Sequence, residues 1–456
     1  MPGMDDAQLE DRVHECGQRL AAGLGSADAS GLRHPLAIGE RRMMRSLIAD
    51  PRLRAALFRF VDVRPACQSR TELVRHLSEF LEEAGAGSEN ARRLARLTSR
   101  RGLTLPTAGA AGLGVASMAH RFIAGEDAQA AASELTSLWE QGRCVTLDLL
   151  GEATLTEPEG ERYAQRCTQT LRALGQMSAG WAPNQLLEHD GLGPLPRANL
   201  SVKVSALTPH LRANAPERAL SAARDRLLEL LRLARDLGAH LHVDMESLDT
   251  RESITELFLE LLALDEFADG PSAGIVLQAY LTDSEEQLEL LLGWLEQHPR
   301  GAPFTIRLVK GAYWDHEVVL AAQHGWRAPV FTDRRSCDRH YEHLTRRLLD
   351  ARAGGLALRP AIASHNLRSL AHAIAYSDAL GLAPDALELQ VLRGLGDDTA
   401  AAIAAYGRRV RVYCPVGDLV AGMAYLVRRL LENTSNDSFL AAQTTGADIN
   451  LLLERP

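Results

Sequence analysis

Apolar positions change their rhythm once along this chain. From Cys144 onward, short apolar runs (CVTLDLL, ANLSVKV, HLHVDM, AGIVLQAY, FTIRLV, LRPAIAS, ALELQVL and RVRVYCPV) alternate with longer segments of helical spacing. Between Pro216 and Leu237, for instance, Ala223, Leu227, Leu230, Leu231 and Ala234 share one stripe, with Pro216 suited to an opening turn and Gly238 to a C-terminal cap. Strands alternating with helices imply parallel pairing through right-handed crossovers. Eight such units predict an α/β fold, a (β/α)8 TIM-like barrel. A doubly wound open sheet is the second choice, but no GxGxxG follows a strand.

Before Cys144 the pattern is helical throughout, so the barrel is expected to follow an all-helical N-terminal region. Amphipathic stretches run around Gly39 to Asp50, Arg52 to Phe60, Arg70 to Glu83 and Glu89 to Ser99, punctuated by Pro51 and Pro65. Arg101 to Gly114 is rich in Gly and Ala and reads as a connector, after which Met118 to Gly142 returns to helix. The expected division is a helical arm over residues 1–135 and a barrel over 136–456. Near the other end, Asp418 to Asn433 reads as a helix with two stripes. Leu419, Met423, Leu426, Val427 and Leu430 make an apolar one; Tyr425, Arg428, Arg429 and Glu432 follow i, i+3, i+4, i+7 spacing on another. Two adjacent arginines suit a carboxylate or phosphate, although a solvated charged face has the same pattern.

Composition narrows the partners. With 456 residues, 46% hydrophobic, the chain has material for a large core; Lys+Arg 50 against Asp+Glu 59 gives a net charge of −9 without a long basic run. That argues against nucleic acid and anionic membrane as the main ligand and favours a small molecule. The six cysteines are scattered without a CxxC pair, so neither a disulfide framework nor a zinc knuckle is indicated; Cys144 and Cys414, in apolar runs, read as core. The start, MPGMDDAQLEDRVHE, lacks a basic region followed by an apolar one, and no later window offers about eighteen apolar residues in a row. A soluble, cytoplasmic protein is expected.

In a barrel of this kind chemistry gathers at the C-terminal ends of the strands. There the runs deliver Glu152, Lys203, Asp244, Gln278, Arg307 with Lys310, Ser364 with His365 and Asn366, Gln390, and Tyr413. Singly, each has a structural explanation: Lys203 snorkelling, Asp244 capping the next helix, His365 satisfied behind the site. Eight polar groups at one mouth form a stronger pattern. No HExxH is present, no metal site is expected, and cations (Lys203, Arg307, Lys310, Arg428, Arg429) dominate, which suits an anionic substrate beside a phosphate-bearing cofactor. Gly311 and Ala312 leave room for a ligand against backbone, and Tyr313 and Trp314 offer aromatic surface or core filling.

The segments DLLGEA, SVKVSAL, VDMES, GIVLQAYL, RLVKGAYWDHE, ASHN, LELQVLRGLG and YLVRRLLEN, in this order, resemble the proline dehydrogenase family; the N-terminal helices are similar to the region preceding that barrel in bifunctional proline utilisation A flavoenzymes. The resemblance implies non-covalent FAD, oxidation of L-proline to Δ1-pyrroline-5-carboxylate by hydride transfer to the flavin, and a membrane quinone as electron acceptor, the first step of proline catabolism to glutamate. It implies a cytoplasmic protein that visits the inner membrane surface during quinone reduction.

Carried over by motif, Lys203, Arg428 and Arg429 would bind the proline carboxylate, Tyr313, Leu392, Tyr413 and Tyr425 would enclose the ring, and Glu152 would gate the entrance. Asp244, Met245, Gln278, Arg307, Val309, Lys310, Gly311, Trp314, Thr332, Arg334, Ser364, His365, Asn366, Gln390 and Glu432 would contact or support FAD. Asp244 and Arg307 would take the catalytic roles, with Arg307 near flavin N5. Where the family usually has His and Met, this chain has Arg393 and Leu395; where it has Lys, this chain has Arg334. No aldehyde dehydrogenase module follows within these residues, so the product is expected to pass to a separate pyrroline-5-carboxylate dehydrogenase, whether the chain is a monofunctional form or a fragment. Two other classes compete: a Schiff-base lyase using Lys203, and a binding module with an inactive barrel.

Overall fold

A computed structural model of the chain describes residues 5–31, 70–88, 122–151, 154–211, 216–418 and 448–456, with isolated positions between 52 and 92. All eight apolar runs form strands: β1 (Cys144–Leu149), β2 (Asn199–Lys203), β3 (His240–Asp244), β4 (Ser272–Gln278), β5 (Phe304–Val309), β6 (Leu358–Ala363), β7 (Glu388–Leu392) and β8 (Arg409–Val416). Each pairs in parallel with its neighbours, and β1 pairs with both β2 and β8, closing the barrel. The register places Lys203 beside Asp244 and Leu392 beside Tyr413.

Strict alternation within several strands decides what fills the barrel. In NLSVK, HLHVD and RVRVY, the apolar residues (Leu200, Val202, Leu241, Val243, Val410, Val412) join the core beneath the outer helices. Their polar neighbours turn inward and contact one another, so this lumen is largely polar where such barrels usually hold aliphatic layers. At its floor, Glu388 accepts both forks of Arg411 at 2.8 Å, while Arg359 donates to the two oxygens of Asp190 at 2.8 and 3.0 Å. Asp190 belongs to a two-stranded hairpin, His189–Asp190 and Gly193–Pro194, that the apolar pattern does not reveal. Arg409 donates to the carbonyls of Leu186 and His189 below the strands.

The helix Pro216–Asp236 buries all five residues of its expected stripe and ends at Gly238, whose φ of 60° is a left-handed cap. The helix Arg70–Gly85 matches its amphipathic pattern. A further helix, Asp6–Gly31, buries Leu9, Val13, Cys16 and Leu20 against the barrel's helices. It is held by Glu10, which accepts two bonds from buried Arg368 at 2.6 and 2.8 Å; Arg368 also donates to Glu342 and to the carbonyl of Leu453. Of the stretch expected to be helical from Met118 to Gly142, residues 123–131 are not helical and Ala132–Glu140 is a helix. Just before it the chain runs beside β8: Ala124 N–H donates to the Pro415 carbonyl at 2.8 Å and Gly417 N–H to the Gly125 carbonyl at 3.0 Å, bonds that a continuous helix would forfeit. The stretches around 39–60 and 89–99 and the connector at 101–114 lie outside the described segments. Among the described residues no helix is long and apolar enough to cross a membrane.

Three buried histidines give the fold a pH signature. Burial, with help from Arg411, holds His240 down at about 3; burial and Arg346 do the same for His372, also at about 3; burial and Arg307 depress His242 well below its ordinary value. Each is neutral when folded but takes a proton near pH 6.5 when unfolded, so its contribution is present above that pH and is lost as pH falls. Each should remove about 1.4 kcal/mol of stability per pH unit below 6.5. Thermal melts from pH 7.5 to 5 should show a falling Tm, with a shallower slope in His372→Gln; a flat Tm would contradict neutral burial.

Candidate active site

The C-terminal ends of β1, β2, β3, β5 and β8 bring two carboxylates, two cations and a phenol into one bonded group. Lys203, at the end of β2, bonds Asp148 of β1 and lies 3.8 Å from Asp244. Asp244 accepts Arg307 Nη1 at 2.7 Å and the Tyr413 hydroxyl at 2.7 Å. Arg307 Nη2 reaches Ser201 Oγ at 3.0 Å, and its guanidinium lies 5.3 Å from the Tyr413 ring. Asp148 and Asp244 balance Lys203 and Arg307, so the group is neutral overall although Lys203, Asp244 and Arg307 are each at most 9% exposed.

Burial works against the Lys203 charge, but Asp148, Tyr413 and Asp244 outweigh it and hold the ammonium well above its usual range. Burial, then Asp148 and Asp244, push the Tyr413 phenol well above 10, so it remains a donor to Asp244. A lysine that forms an imine needs its amine free of the proton; this environment does the reverse. The arrangement is a pre-oriented, charge-balanced group beside an aromatic edge, in which Lys203 and Arg307 stand as fixed cations for an anionic ligand.

Around the mouth stand the other expected residues. Gln278 closes β4 with its amide nitrogen on the Glu246 carbonyl at 2.9 Å, while its buried Oε1 has no partner among the described residues. Arg307 Nε is likewise unpartnered there. Lys310 and Arg334 converge on Asp338, the latter at 3.6 Å. Trp314 is 40% exposed and anchored by its indole N–H to the Phe331 carbonyl. The Tyr313 hydroxyl donates to Glu246 at 3.3 Å, and Glu246 also accepts Ser205 Oγ. His365 Nε2 accepts the backbone N–H of Leu392 at 2.9 Å. Met245 is buried after β3, Val309 ends β5, and Thr332 is exposed.

For some of these residues the structure supplies a local employment. Asn366 caps the helix Leu367–Ala379, accepting Arg368 N–H at 2.9 Å, and Ser364 Oγ accepts Asn366 N–H at 3.0 Å. Gln390 turns down to Glu388, donating at 2.7 Å. Gly311 is required by a neighbour: its φ is 133°, and a Cβ there would sit 2.2 Å from the Tyr280 ring. Glu152, Tyr425, Arg428, Arg429 and Glu432 lie outside the described residues. Asp148, Ser201, Glu246 and Asp338 are additions; Asp148 is the one charged residue inside the apolar run CVTLDLL, and Asp338 stands four residues after Arg334, so a sequence signal existed for both.

Comparison with known proteins gives this constellation a family. The sequence model of the proline dehydrogenase family matches residues 131–442, and that of the proline utilization A N-terminal domain matches 10–122. The chain belongs to the proline dehydrogenase family. It is 32% identical to the bifunctional protein PutA of Salmonella typhimurium over 71% of this chain and 24% of that one, and 29% identical to proline dehydrogenase of Deinococcus radiodurans over 71% of this chain and 88% of that one. The crystal structure of proline utilization A from Bdellovibrio bacteriovorus inactivated by N-propargylglycine superposes with a TM-score of 0.86 at 33% identity, covering 99% of this chain and 44% of that one. The chain thus spans about a quarter of the length of the bifunctional relative.

Proposed function

We propose that this chain oxidises L-proline to Δ1-pyrroline-5-carboxylate using non-covalently bound FAD, with a membrane quinone as final electron acceptor. The observation that carries the reading is the neutral quartet of Asp148, Lys203, Asp244 and Arg307, closed by Tyr413, in a chain of this family. Fit to a flavin is supported by the Oε1 of Gln278, which has no partner among the described residues and is an acceptor suited to an imide N–H, by the exposed Trp314 ring, and by Lys310 and Arg334, cations suited to phosphates. Flavin, when bound, supplies the hydride acceptor.

The chain's own side chains bind and orient. Lys203, joined by Arg428 and Arg429, would grip the carboxylate; Tyr313, Leu392, Tyr413 and Tyr425 would wall the ring; Glu152 would guard the entrance. Arg307, pinned by Asp244 and Ser201, would place a fixed cation beside the isoalloxazine. The product would go on to a pyrroline-5-carboxylate dehydrogenase.

The test is direct. Protein purified or incubated with FAD should absorb in the flavin region, bleach with proline under anaerobic conditions, and reduce an artificial acceptor in proportion to proline. A colourless protein that takes up no FAD would remove this reading, and flavin that proline does not reduce would leave a binding module.

A further inference from the structure

We infer that Arg393 and Glu134 form a positioning latch that ties the helix preceding the barrel to the wall of the site. Arg393 follows β7 directly, at a position where the family resemblance leads one to expect histidine, and its guanidinium bonds Glu134 on the helix Ala132–Glu140. The backbone around it is tightly ordered. Arg393 N–H donates to the Tyr413 carbonyl at 3.0 Å, Leu392 N–H to His365 at 2.9 Å, Gly394 N–H to Asp397 at 2.9 Å and Gly396 N–H to the Leu392 carbonyl at 2.9 Å.

Leu392 and Tyr413 are register partners on β7 and β8, and both are proposed to wall the substrate ring. Arg393 is therefore bonded to one wall residue through its backbone and continuous with the other. Its side chain carries the restraint outward: the Arg393 side chain is 13% exposed, while that of Glu134 is 41% exposed. The neighbouring charges are Arg143, Asp397 and Asp398, all acting around the same helix ends. An ion pair with one end in solvent contributes little to global stability. It does set where a short turn sits, and displacing a wall of a pocket loosens the fit of the ligand that the wall encloses.

The inference rests on the proline reading only for its kinetic arm, so two measurements on the full FAD-loaded chain separate them. Hydrogen exchange across residues 391–396 should quicken about tenfold in Arg393→Met and Glu134→Gln, and stay near wild type in Arg393→Lys, which keeps the charge. With proline and an artificial acceptor, the first two variants should raise KM about three- to tenfold and leave kcat within about twofold; Arg393→Lys should restore KM. Unchanged exchange in Met and Gln variants overturns the latch whether or not proline is a substrate. Faster exchange with unchanged KM overturns its role in the wall, and a wild-type chain inert to proline defeats the functional reading alone.

Discussion

Glu388→Gln is expected to destabilise the fold by about 3–5 kcal/mol while leaving the KM for proline within about twofold of wild type. Glu388 is buried at the floor of the lumen, where it accepts both forks of Arg411 and the amide of Gln390, with Arg409 at 3.6 Å. Burial opposes its charge, but Arg411 and Arg409 overcome this and hold it down to about 2. A neutral amide there would strand Arg411, whose only other bonded oxygen among the described residues is the Val145 carbonyl. The linkage has the same size. A carboxyl lowered from 4.5 to about 2 contributes roughly 3 kcal/mol that is present above pH 4.5 and lost as pH falls towards 2. Denaturant titrations at pH 7 and pH 3.5 would measure both effects. Wild type should lose about 1.4 kcal/mol of that increment at pH 3.5, somewhat under half, whereas the variant should lack it throughout; equal stabilities at pH 7 would mean the floor pair is energetically idle.

The two ends of the lumen differ in how openly the sequence displays them. All eight strands were legible because their outward positions, such as Leu200, Val202, Val410 and Val412, are apolar and are separated by helical stripes. Mouth residues were legible because a strand's last residue has a known address in this fold, which is how Lys203, Asp244 and Gln278 could be named. The floor was not named, although the alternation in HLHVD, ELQVL and RVRVY carries it: a polar residue at every second place of a buried strand must face others like it. Partnership was the harder part. That Lys310 and Arg334 meet at Asp338, or that Asn366 caps its own helix, depends on loop geometry that spacing alone does not fix. Gly311 shows the same limit, since its need for φ of 133° arises from Tyr280, thirty-one residues earlier in sequence and adjacent in space. The helix with Arg428 and Arg429 lies outside the described residues and keeps its standing as a sequence expectation.

Arg307→Met is expected to be the most damaging single change at the mouth, lowering kcat/KM for proline by roughly a hundredfold or more. Arg307 sits at 3% exposure between Asp244 and Ser201, with the Tyr413 ring beside it. Methionine preserves much of its volume but leaves Asp148 and Asp244 facing Lys203 alone, so the neutral quartet becomes a buried net anion. That would be unfavourable for the proposed anionic substrate, and on the proposed reading it removes a cation beside a flavin whose reduced state is the more negative one. Arg307→Lys separates the two causes. It restores the charge, yet a single ammonium cannot hold Asp244 and Ser201 with a planar fork, so activity should return only in part while stability recovers more fully. Stopped-flow reduction by proline, flavin content and the reduction potential, measured on wild type and both variants, distinguish the roles. In Arg307→Met reduction should slow and the potential should fall; in Arg307→Lys the potential should lie close to wild type with reduction still impaired. If flavin content, potential and reduction rate in Arg307→Met all match wild type, Arg307 does not face the reacting centre, and the quartet is a structural tie between β1, β2, β3 and β5.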